Sequence, residues 1–203
     1  MSILSGIQDL GCLATLISCL CPASGISKPL FRTNLVTKMF RRVDLPARIP
    51  GKMLLHSMPG RFEAIDKTWQ QVKSEAVGAI VCLVEPFEIQ QKSSSYAEAL
   101  EIGSVPCAVL PFEIREGGVP EDRDSFWALA RHVADRLRSG EVVLIHCAGG
   151  VGRTAMLAVS VLLALGEPIR EAEVLVSRAG SIVETMPQME MLSWCVERMS
   201  KEE

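Results

Sequence analysis

One nine-residue loop constrains this chain more than any other feature. It combines a cysteine, three glycines, an arginine and a hydroxyl residue, in the order His146-Cys147-Ala148-Gly149-Gly150-Val151-Gly152-Arg153-Thr154. The apolar run Val142–Ile145 before it is typical of a buried strand. Residues 153–165 after it are largely apolar on every side and are followed by Gly166, which indicates a buried helix ending in glycine. The loop is therefore expected where a core strand turns into a buried helix.

A loop in that position attracts an anion. The first N–H groups of a helix lack partners within the helix, and the helix dipole is positive at this end. Gly149, Gly150 and Gly152 would let the backbone curl until successive N–H groups face inward. Arg153 adds a planar fork that can hold two phosphate oxygens. The expected phosphate-binding residues are Ala148, Gly149, Gly150, Val151, Gly152 and Arg153.

Cys147 is the candidate nucleophile. The field that holds a phosphate dianion also stabilises a thiolate, so we expect this sulfur to be ionised and reactive at neutral pH. If Cys147 were only a buried structural thiol, an arginine at the start of an apolar helix would have no explanation. A nucleotide-binding loop would need lysine before the hydroxyl residue, and that place is held by Arg153.

The loop resembles the signature loop of the cysteine-dependent protein tyrosine phosphatase superfamily, in particular its compact dual-specificity branch. The resemblance is carried by His146, Cys147, Arg153 and Thr154 at their spacing. It implies an α/β fold whose central, mostly parallel sheet is flanked by helices, and hydrolysis of a phosphomonoester through a phosphocysteine without metal or cofactor. Low-molecular-weight phosphatases carry a similar loop near the N-terminus, whereas here it comes late.

The resemblance also implies roles for three further residues. His146 would order the loop without acting as a base, and the Thr154 hydroxyl would hydrogen-bond the sulfur and help the thiolate leave. Gln188, in the late stretch Ile182–Gln188, would position the hydrolytic water. The structural alternatives are that Thr154 satisfies backbone groups at the helix start and that Gln188 is a surface residue.

A general acid is needed because an alkoxide or phenoxide leaves poorly without a proton. The superfamily supplies an Asp from a loop before the long helix that precedes the cysteine. The matching position here is Glu116, which departs from the usual Asp, so Asp122 and Asp124 remain alternatives. Both aspartates would also be explained by favourable interaction with the dipole in the first turn of a helix.

The alternation of elements favours an α/β layer structure as well. The predicted strands cover residues 52–56, 79–84, 106–112 and 142–145, and the predicted helices cover residues 63–74, 96–103, 120–138, 153–165, 169–178 and 187–199. Residues 29–50 contain Pro46 and Pro50 and are expected to form an irregular lead-in. We therefore divide the chain into an N-terminal arm, residues 1–47, and a phosphatase domain, residues 48–203.

The beginning of the chain is mostly apolar from Ile3 to Pro22, with no Lys or Arg before Lys28. This argues against a secretory signal, and the run is too short and broken for a membrane span. Packing of this arm on the domain is one prediction. The other is a membrane tether, because Cys19 and Cys21 are candidate acylation sites and Leu16–Cys19 loosely resembles a lipoprotein cleavage box.

Composition excludes several classes. The 203 residues are 48% hydrophobic with a net charge of −3, and Lys and Arg are mostly scattered, which argues against a nucleic acid as partner. Seven cysteines without CxxC spacing indicate neither a disulfide framework nor a zinc site and favour a reducing, cytoplasmic location, with membrane association as the alternative. Cys82, on a predicted core strand, is a candidate for a reversible disulfide with Cys147.

The absence of lysine from the signature loop bears on the class of substrate. Residues 148–152 contain no lysine, whereas superfamily members that act on inositides often carry basic residues there. A phosphoprotein, on Tyr and also Ser or Thr, or a small aryl or alkyl phosphate is therefore the predicted substrate. Only Tyr96 is available to build a deep tyrosine pocket, which favours a shallow site. The alternatives are a pseudophosphatase that docks a phosphorylated partner without turnover and a sulfur transferase of the rhodanese kind.

Overall fold

The computed structural model describes residues 39–201 and is built on one five-stranded sheet. The strands are β1 (Arg41–Val43), β2 (Lys52–His56), β3 (Val77–Cys82), β4 (Ala108–Pro111) and β5 (Val142–His146). Their order across the sheet is β1-β2-β5-β3-β4. The β1 strand runs antiparallel to β2, and the other neighbours are parallel. The predicted α/β class with a mostly parallel sheet is confirmed.

Helices cover both faces of this sheet. They are α1 (Ile65–Ser74), α2 (Pro86–Lys92), α3 (Ser94–Glu101), α4 (Arg123–Arg138), α5 (Gly152–Ala164), α6 (Ile169–Arg178) and α7 (Met186–Met199). Alternate residues of β5 point to opposite layers: Val143 and Ile145 join the large core with α4 to α7, and Leu144 joins the smaller cluster that includes Val72 of α1. A parallel strand covered on both faces needs the continuous apolar run seen in the sequence.

Helix α5 lies at the centre of the helical layer. Twelve of its residues are buried, because it packs against β5 on one side and against α4, α6 and α7 on the others. This explains why the sequence is apolar around the whole helix, since a helix with no solvent face gains nothing from a polar stripe. The N-terminus of α5 is therefore held rigidly beneath the end of β5.

The strand at 52–56 and the helix at 169–178 have the predicted bounds, and most other ends move by one to three residues. Two elements were missed. The lead-in predicted for residues 29–50 contains β1, so the sheet begins before residue 48. A three-residue edge strand with two arginines shows no apolar alternation, although edge strands tolerate charge. Helix α2 was missed because its seven residues are too few for a helical period.

The apolar run from Ile3 to Pro22, with Cys19 and Cys21, lies outside the described residues, so the arm and its acylation remain predictions. Across residues 39–201, none of the helices combines the length and the apolar character needed to cross a membrane.

Candidate active site

Cys147 follows β5 directly and lies beneath the start of α5. It is 3% exposed, and its Sγ accepts a hydrogen bond from the backbone N–H of Gly150 at 3.2 Å. The sulfur therefore faces a main-chain donor at the positive end of a helix dipole.

Three carbonyl groups of the signature loop are held by hydrogen bonds that they accept. The Cys147 carbonyl oxygen contacts Nδ1 of His146 at 3.2 Å, and the Ala148 carbonyl accepts from the Met58 N–H at 3.2 Å. The Gly150 carbonyl accepts from the Arg41 guanidinium and the Ser181 hydroxyl. In a trans peptide, C=O and the next N–H point in opposite directions. Fixing these oxygens outward therefore turns the following amides to the opposite side: those of Ala148, Gly149 and Val151.

Those three amides have no hydrogen-bond partner anywhere in residues 39–201. Three free N–H groups at the start of a buried helix form the kind of concavity that binds a phosphate or sulfate oxygen. The sequence predicted anion binding by residues 148–153. Of the loop amides, those of Ala148, Gly149 and Val151 are available for it, whereas the Gly150 amide donates to the Cys147 sulfur and the Gly152 amide donates to Glu184. Anion binding at this loop stays a prediction.

The three glycines do not contribute equally. Gly150 has a φ of 72°, and a Cβ there would lie 2.4 Å from the carbonyl oxygen of His56. A Cβ on Gly149 would meet nothing within 4 Å. A Cβ on Gly152 would lie 2.3 Å from a carboxylate oxygen of Glu184. The loop conformation therefore requires glycine at 150, whereas the expectation that Gly149 is needed for the curl is not supported by its surroundings.

The guanidinium of Arg153 is 4% exposed and is held in a fork by Glu88. Its Nη1 and Nη2 donate to Oε2 and Oε1 of Glu88 at 2.8 and 2.9 Å, and Nη1 also donates to the carbonyl of Ile114 at 2.7 Å. Burial disfavours the charged guanidinium, but the Glu88 hydrogen bonds outweigh it and raise the pKa of Arg153 above its usual value. Arg153 is therefore a permanent cation fixed by a buried carboxylate.

Sequence reasoning missed Glu88 as part of the site. It lies in α2, the short helix that was also missed, and it is 6% exposed. An acid between apolar Phe87 and Ile89 was the available signal, because a buried carboxylate needs a cationic partner.

An ionic chain leads from Arg153 to the candidate acid. Lys92 donates to Glu88 at 2.8 Å and to Glu116 at 2.6 Å. Burial works against the Lys92 ammonium, yet its hydrogen bonds to Glu116 and Glu88 raise the pKa of Lys92. The Glu116 side chain itself is 68% exposed. It lies on the segment we call the acid loop, residues 112–122.

The other two acids in this region have structural partners. Asp122 is the N-cap of α4 and accepts from the N–H groups of Asp124 and Ser125. Hydrogen bonds from the Ser125 hydroxyl and amide lower the pKa of Asp122. Asp124 is ion-paired with Arg198 at 3.2 Å. Asp122 therefore caps α4, and Asp124 lies in its first turn, where interaction with the helix dipole was expected. Of the three candidate acids, Glu116 is the one that lies outside α4 and its cap.

His146 is fully buried, and its ring supports the signature loop. Because Nδ1 faces the Cys147 carbonyl, it carries the ring proton, and Nε2 accepts from the Tyr96 hydroxyl at 3.1 Å. Burial lowers the pKa of His146 to about 3, so the ring is neutral. A neutral imidazole with both nitrogens engaged fits the ordering role implied by the resemblance.

The hydrogen bonding of Thr154 differs from what the sequence led us to expect. Its hydroxyl is fully buried and has no hydrogen-bond partner within the described part of the chain. Neither the expected bond to the sulfur nor the alternative bond to backbone groups is formed. The hydrogen bond to the Cys147 sulfur comes instead from the amide of Gly150, which lies between Cys147 and Thr154 in the chain.

Gln188 lies in the interior, so the alternative that it is a surface residue is wrong. Its Oε1 accepts from the Glu184 N–H at 2.9 Å, and its Nε2 donates to the Gly118 carbonyl of the acid loop at 3.3 Å. Glu184, which sequence reasoning missed, accepts from the Gly152 N–H at 2.9 Å. The late stretch Ile182–Gln188 thus contacts both the signature loop and the acid loop.

Cys82 is a free, buried thiol whose pKa is raised to about 11 by burial. Its Cα pairs in register with His146 on the neighbouring strand, one residue before Cys147. A disulfide between the two sulfurs remains a prediction. Among residues 39–201, no cluster of three or more His, Cys, Asp or Glu side chains is arranged to hold a metal ion.

A parallel α/β sheet that delivers a cysteine, an amide-lined loop and a buried arginine to one helix N-terminus defines a member of the cysteine-dependent protein tyrosine phosphatase superfamily, of the dual-specificity type. A family model described as "Tc-R-P: Polymorphic toxin system, DSP-PTPase phosphatase" matches residues 56–167. The chain belongs to this family.

Individual relatives agree with this assignment. Cyclin-dependent kinase inhibitor 3 of Rattus norvegicus is 32% identical over 81 residues, which is 38% of this chain and 38% of the relative, so the match spans about two fifths of that protein. The crystal structure of kinase associated phosphatase, with its catalytic-site cysteine substituted by serine, superposes with a TM-score of 0.68 at 20% identity, covering 79% of this chain and 95% of that chain. Tk-PTP in its active form gives a TM-score of 0.62 at 28% identity, with 79% and 98% covered.

Proposed function

We propose that this chain hydrolyses phosphomonoesters through a phosphocysteine formed on Cys147. The observation that carries the proposal is the buried Cys147 sulfur at the start of α5, beside three unpaired amides and a buried Arg153. Phosphoryl transfer needs mainly positioning and electrostatic stabilisation, and this arrangement supplies both.

In the first step the Cys147 thiolate attacks phosphorus as the ester P–O bond breaks. The amides of Ala148, Gly149 and Val151, with the Arg153 guanidinium, hold the equatorial oxygens while charge shifts onto them. Glu116 leaves Lys92, takes up a proton from solvent, and gives that proton to the leaving oxygen of the bound substrate. An exposed ion pair of this kind is worth little and does not prevent Glu116 from leaving Lys92.

In the second step a water attacks phosphorus and the S–P bond breaks. The water proton passes to the Glu116 carboxylate, inorganic phosphate leaves and the thiolate is restored. Gln188, whose side chain contacts Gly118 of the acid loop and the Glu184 amide, would orient this water. The Thr154 hydroxyl, buried and unpartnered among the described residues, would donate to the sulfur as negative charge returns to it.

The substrate we propose is a phosphorylated protein, or a small aryl or alkyl phosphate in vitro. The family supports a phosphoprotein, and the signature loop has no lysine for a second phosphate group. Exposed apolar side chains on the late stretch and α7, Ile182, Met186 and Met189, suit a peptide better than a sugar headgroup.

The test is phosphate release from p-nitrophenyl phosphate and from phosphotyrosine and phosphothreonine peptides. Wild type should release phosphate, Cys147→Ser should release none, and Cys107→Ser, a free cysteine away from the loop, should match wild type. Acid quenching followed by mass spectrometry should find the phosphoryl group on Cys147. Equal rates for wild type and Cys147→Ser would contradict the proposal. If wild type binds phosphopeptide without releasing phosphate, the docking alternative replaces it.

A further inference from the structure

The carbonyl oxygen of Gly150 is held by two side chains that come from outside the signature loop. Nη2 of Arg41 donates to it, and the Ser181 hydroxyl donates to it at 2.7 Å. Nη1 of the same arginine donates to the carbonyl of Gly180. Arg41 lies on β1, and Ser181 lies in the connection between α6 and α7, so the edge strand and this connection meet at one atom of the signature loop.

This contact matters because the peptide between Gly150 and Val151 can turn about a glycine. Gly150 has no Cβ and adopts a φ of 72°, a region in which glycine rotates at little cost. The Gly150 oxygen and the Val151 N–H lie on opposite sides of one planar unit. Whatever holds the oxygen outward therefore decides whether the Val151 N–H faces the anion.

We propose that Arg41, supported by Ser181, is a positioning residue that turns the Val151 amide toward the transferring phosphoryl group. The inference rests on the proposed function and deepens it. It also places part of the site on β1, outside residues 56–167 that match the family model. A fixed guanidinium is suited to the task because its planar fork reaches two carbonyl oxygens at once, those of Gly150 and Gly180.

The same guanidinium adds a charge behind the loop. Arg41 lies within electrostatic range of Cys147 and is partly buried, so its field is only partly screened by water. A hydrogen bond from an ionised donor to a carbonyl is stronger than one between neutral groups. Arg41 therefore holds the peptide more firmly than Ser181 alone would.

The chain contains a matched control. Arg42 is the next residue of the same strand, has the same side chain and is exposed, because successive residues of a strand point to opposite faces. Replacing Arg42 removes one positive charge from β1 without touching the Gly150 oxygen. Any difference between the two alanine variants therefore reports the place of Arg41 beside the loop and not the net charge of the strand. Arg41→Lys, which keeps the charge there, separates the field of Arg41 from its forked contact.

The experiment compares wild type, Arg41→Ala, Arg42→Ala, Arg41→Lys and Ser181→Ala at a temperature where each is folded. The readouts are kcat and KM on p-nitrophenyl phosphate, tungstate affinity by calorimetry, and the melting temperature. Arg41→Ala should lower kcat by about 10-fold to 100-fold, approaching the loss seen when one donor to a developing oxyanion is removed. Its KM should change by less than about threefold, because the amide acts most strongly on the transition state. Arg42→Ala should keep kcat within about twofold of wild type.

Two variants keep the test valid if Arg41→Ala does not fold. Arg41→Lys keeps the charge but offers a point charge in place of the fork, so it should recover only part of kcat. Ser181→Ala should lower kcat less than Arg41→Ala does. A kcat for Arg41→Ala, or for Arg41→Lys where only that variant folds, equal to that of Arg42→Ala would overturn the proposal, even with a lower melting temperature.

The tungstate affinity distinguishes failure of this inference from failure of the proposed function. If wild type shows no turnover, the phosphatase proposal fails, but tungstate affinity still reports how well the loop binds an oxyanion. Weaker tungstate binding by Arg41→Ala than by Arg42→Ala would then support the positioning role. Equal affinities in that case would overturn it.

Discussion

The signature loop and the acid loop face the same site but are built in opposite ways. In the signature loop the carbonyls of Cys147, Ala148 and Gly150 each have a hydrogen-bond partner. The Arg153 guanidinium is fixed by the buried carboxylate of Glu88. In the acid loop the buried residues are Ile114, whose carbonyl accepts from Arg153, and Pro120. The candidate acid, Glu116, is exposed and held by one ion pair. The half of the site that we propose binds phosphate is therefore assembled before substrate arrives, and the half that we propose donates the proton is exposed and held by a single ion pair.

This difference has a physical basis in what each half must do. An oxyanion is stabilised most by dipoles that do not reorganise during the reaction, which requires buried and fully bonded supports. A general acid must reach leaving groups of different size, and an exposed ion pair costs little to break. Substitutions in the first region should therefore affect every substrate, and substitutions in the second should depend on the leaving group.

The largest effect is expected at Gly150. Replacing it by alanine places a Cβ against the His56 carbonyl and imposes a left-handed conformation on a non-glycine residue. The loop must then move, and kcat should fall by about 10³-fold on all substrates, near the upper end of the loss caused by removing an oxyanion donor. Steady-state kinetics on p-nitrophenyl phosphate and a phosphopeptide measure this.

Gly149→Ala is the matched control, because a Cβ there meets nothing within 4 Å. It should keep kcat within about threefold, since substitutions at open positions are usually mild. If both glycine variants lost activity equally, the assignment of a specific strain to residue 150 would be wrong.

The next effect is expected at Glu88. Glu88→Gln removes the charge that balances buried Arg153 and leaves one acceptor for its fork. Breaking a buried pair in this way costs about 3–5 kcal/mol of the free energy of unfolding. Because Arg153 also loses its orientation, kcat should fall by between about 10² and 10³-fold. Urea denaturation and steady-state kinetics measure the two losses.

Glu85→Gln, an acid three residues earlier with a weak pair to Arg115 at 4.0 Å, is the control and should change neither quantity appreciably. An unaltered kcat in Glu88→Gln would mean that Arg153 is positioned without its carboxylate partner, and the contrast between the two halves of the site would lose its main support.

The signature loop was readable from sequence because its parts are local: nine consecutive residues, a strand before them and a helix after them. The contacts that hold it were not. Glu88, Arg41 and Ser181 come from a short helix, a three-residue strand and a connection, none of which has a period that sequence analysis can detect. The prediction for Thr154 shows the same limit: the residue lies at the start of α5, but its hydroxyl makes no hydrogen bond within the described part of the chain. Motifs specify which groups are present, and long-range packing decides where they point.

A smaller and selective effect is expected at Glu116. Glu116→Gln cannot donate a proton, so kcat should fall by about 10²-fold on phenyl phosphate and on phosphothreonine peptides, the lower end of what general acids contribute. On an ester with an acidic leaving group, such as p-nitrophenyl phosphate, the loss should be much smaller. Plotting rate against leaving-group pKa for wild type and variant gives a steeper line for Glu116→Gln.

Glu121→Gln, an exposed acid on the same loop, supplies the control and should follow the wild-type line. A uniform loss across leaving groups in Glu116→Gln would show that this residue does not transfer the proton, and the acid would have to be sought elsewhere on the late stretch or the acid loop.

The smallest effect is expected at Asp122 and concerns stability rather than rate. Asp122→Ala removes the side-chain cap of α4, so the melting temperature should fall by about 2–4 °C at pH 7 while kcat stays near wild type. Hydrogen bonds from Ser125 lower the pKa of Asp122 in the folded state. The cap therefore contributes fully above the unfolded pKa of about 3.9 and is lost as pH falls below it. The wild-type and variant melting curves, measured by calorimetry from pH 7 to pH 3, should converge at the acidic end. A large loss of kcat in Asp122→Ala would instead place this carboxylate in the proton-transfer step and would remove the distinction between a rigid anion site and an adjustable acid.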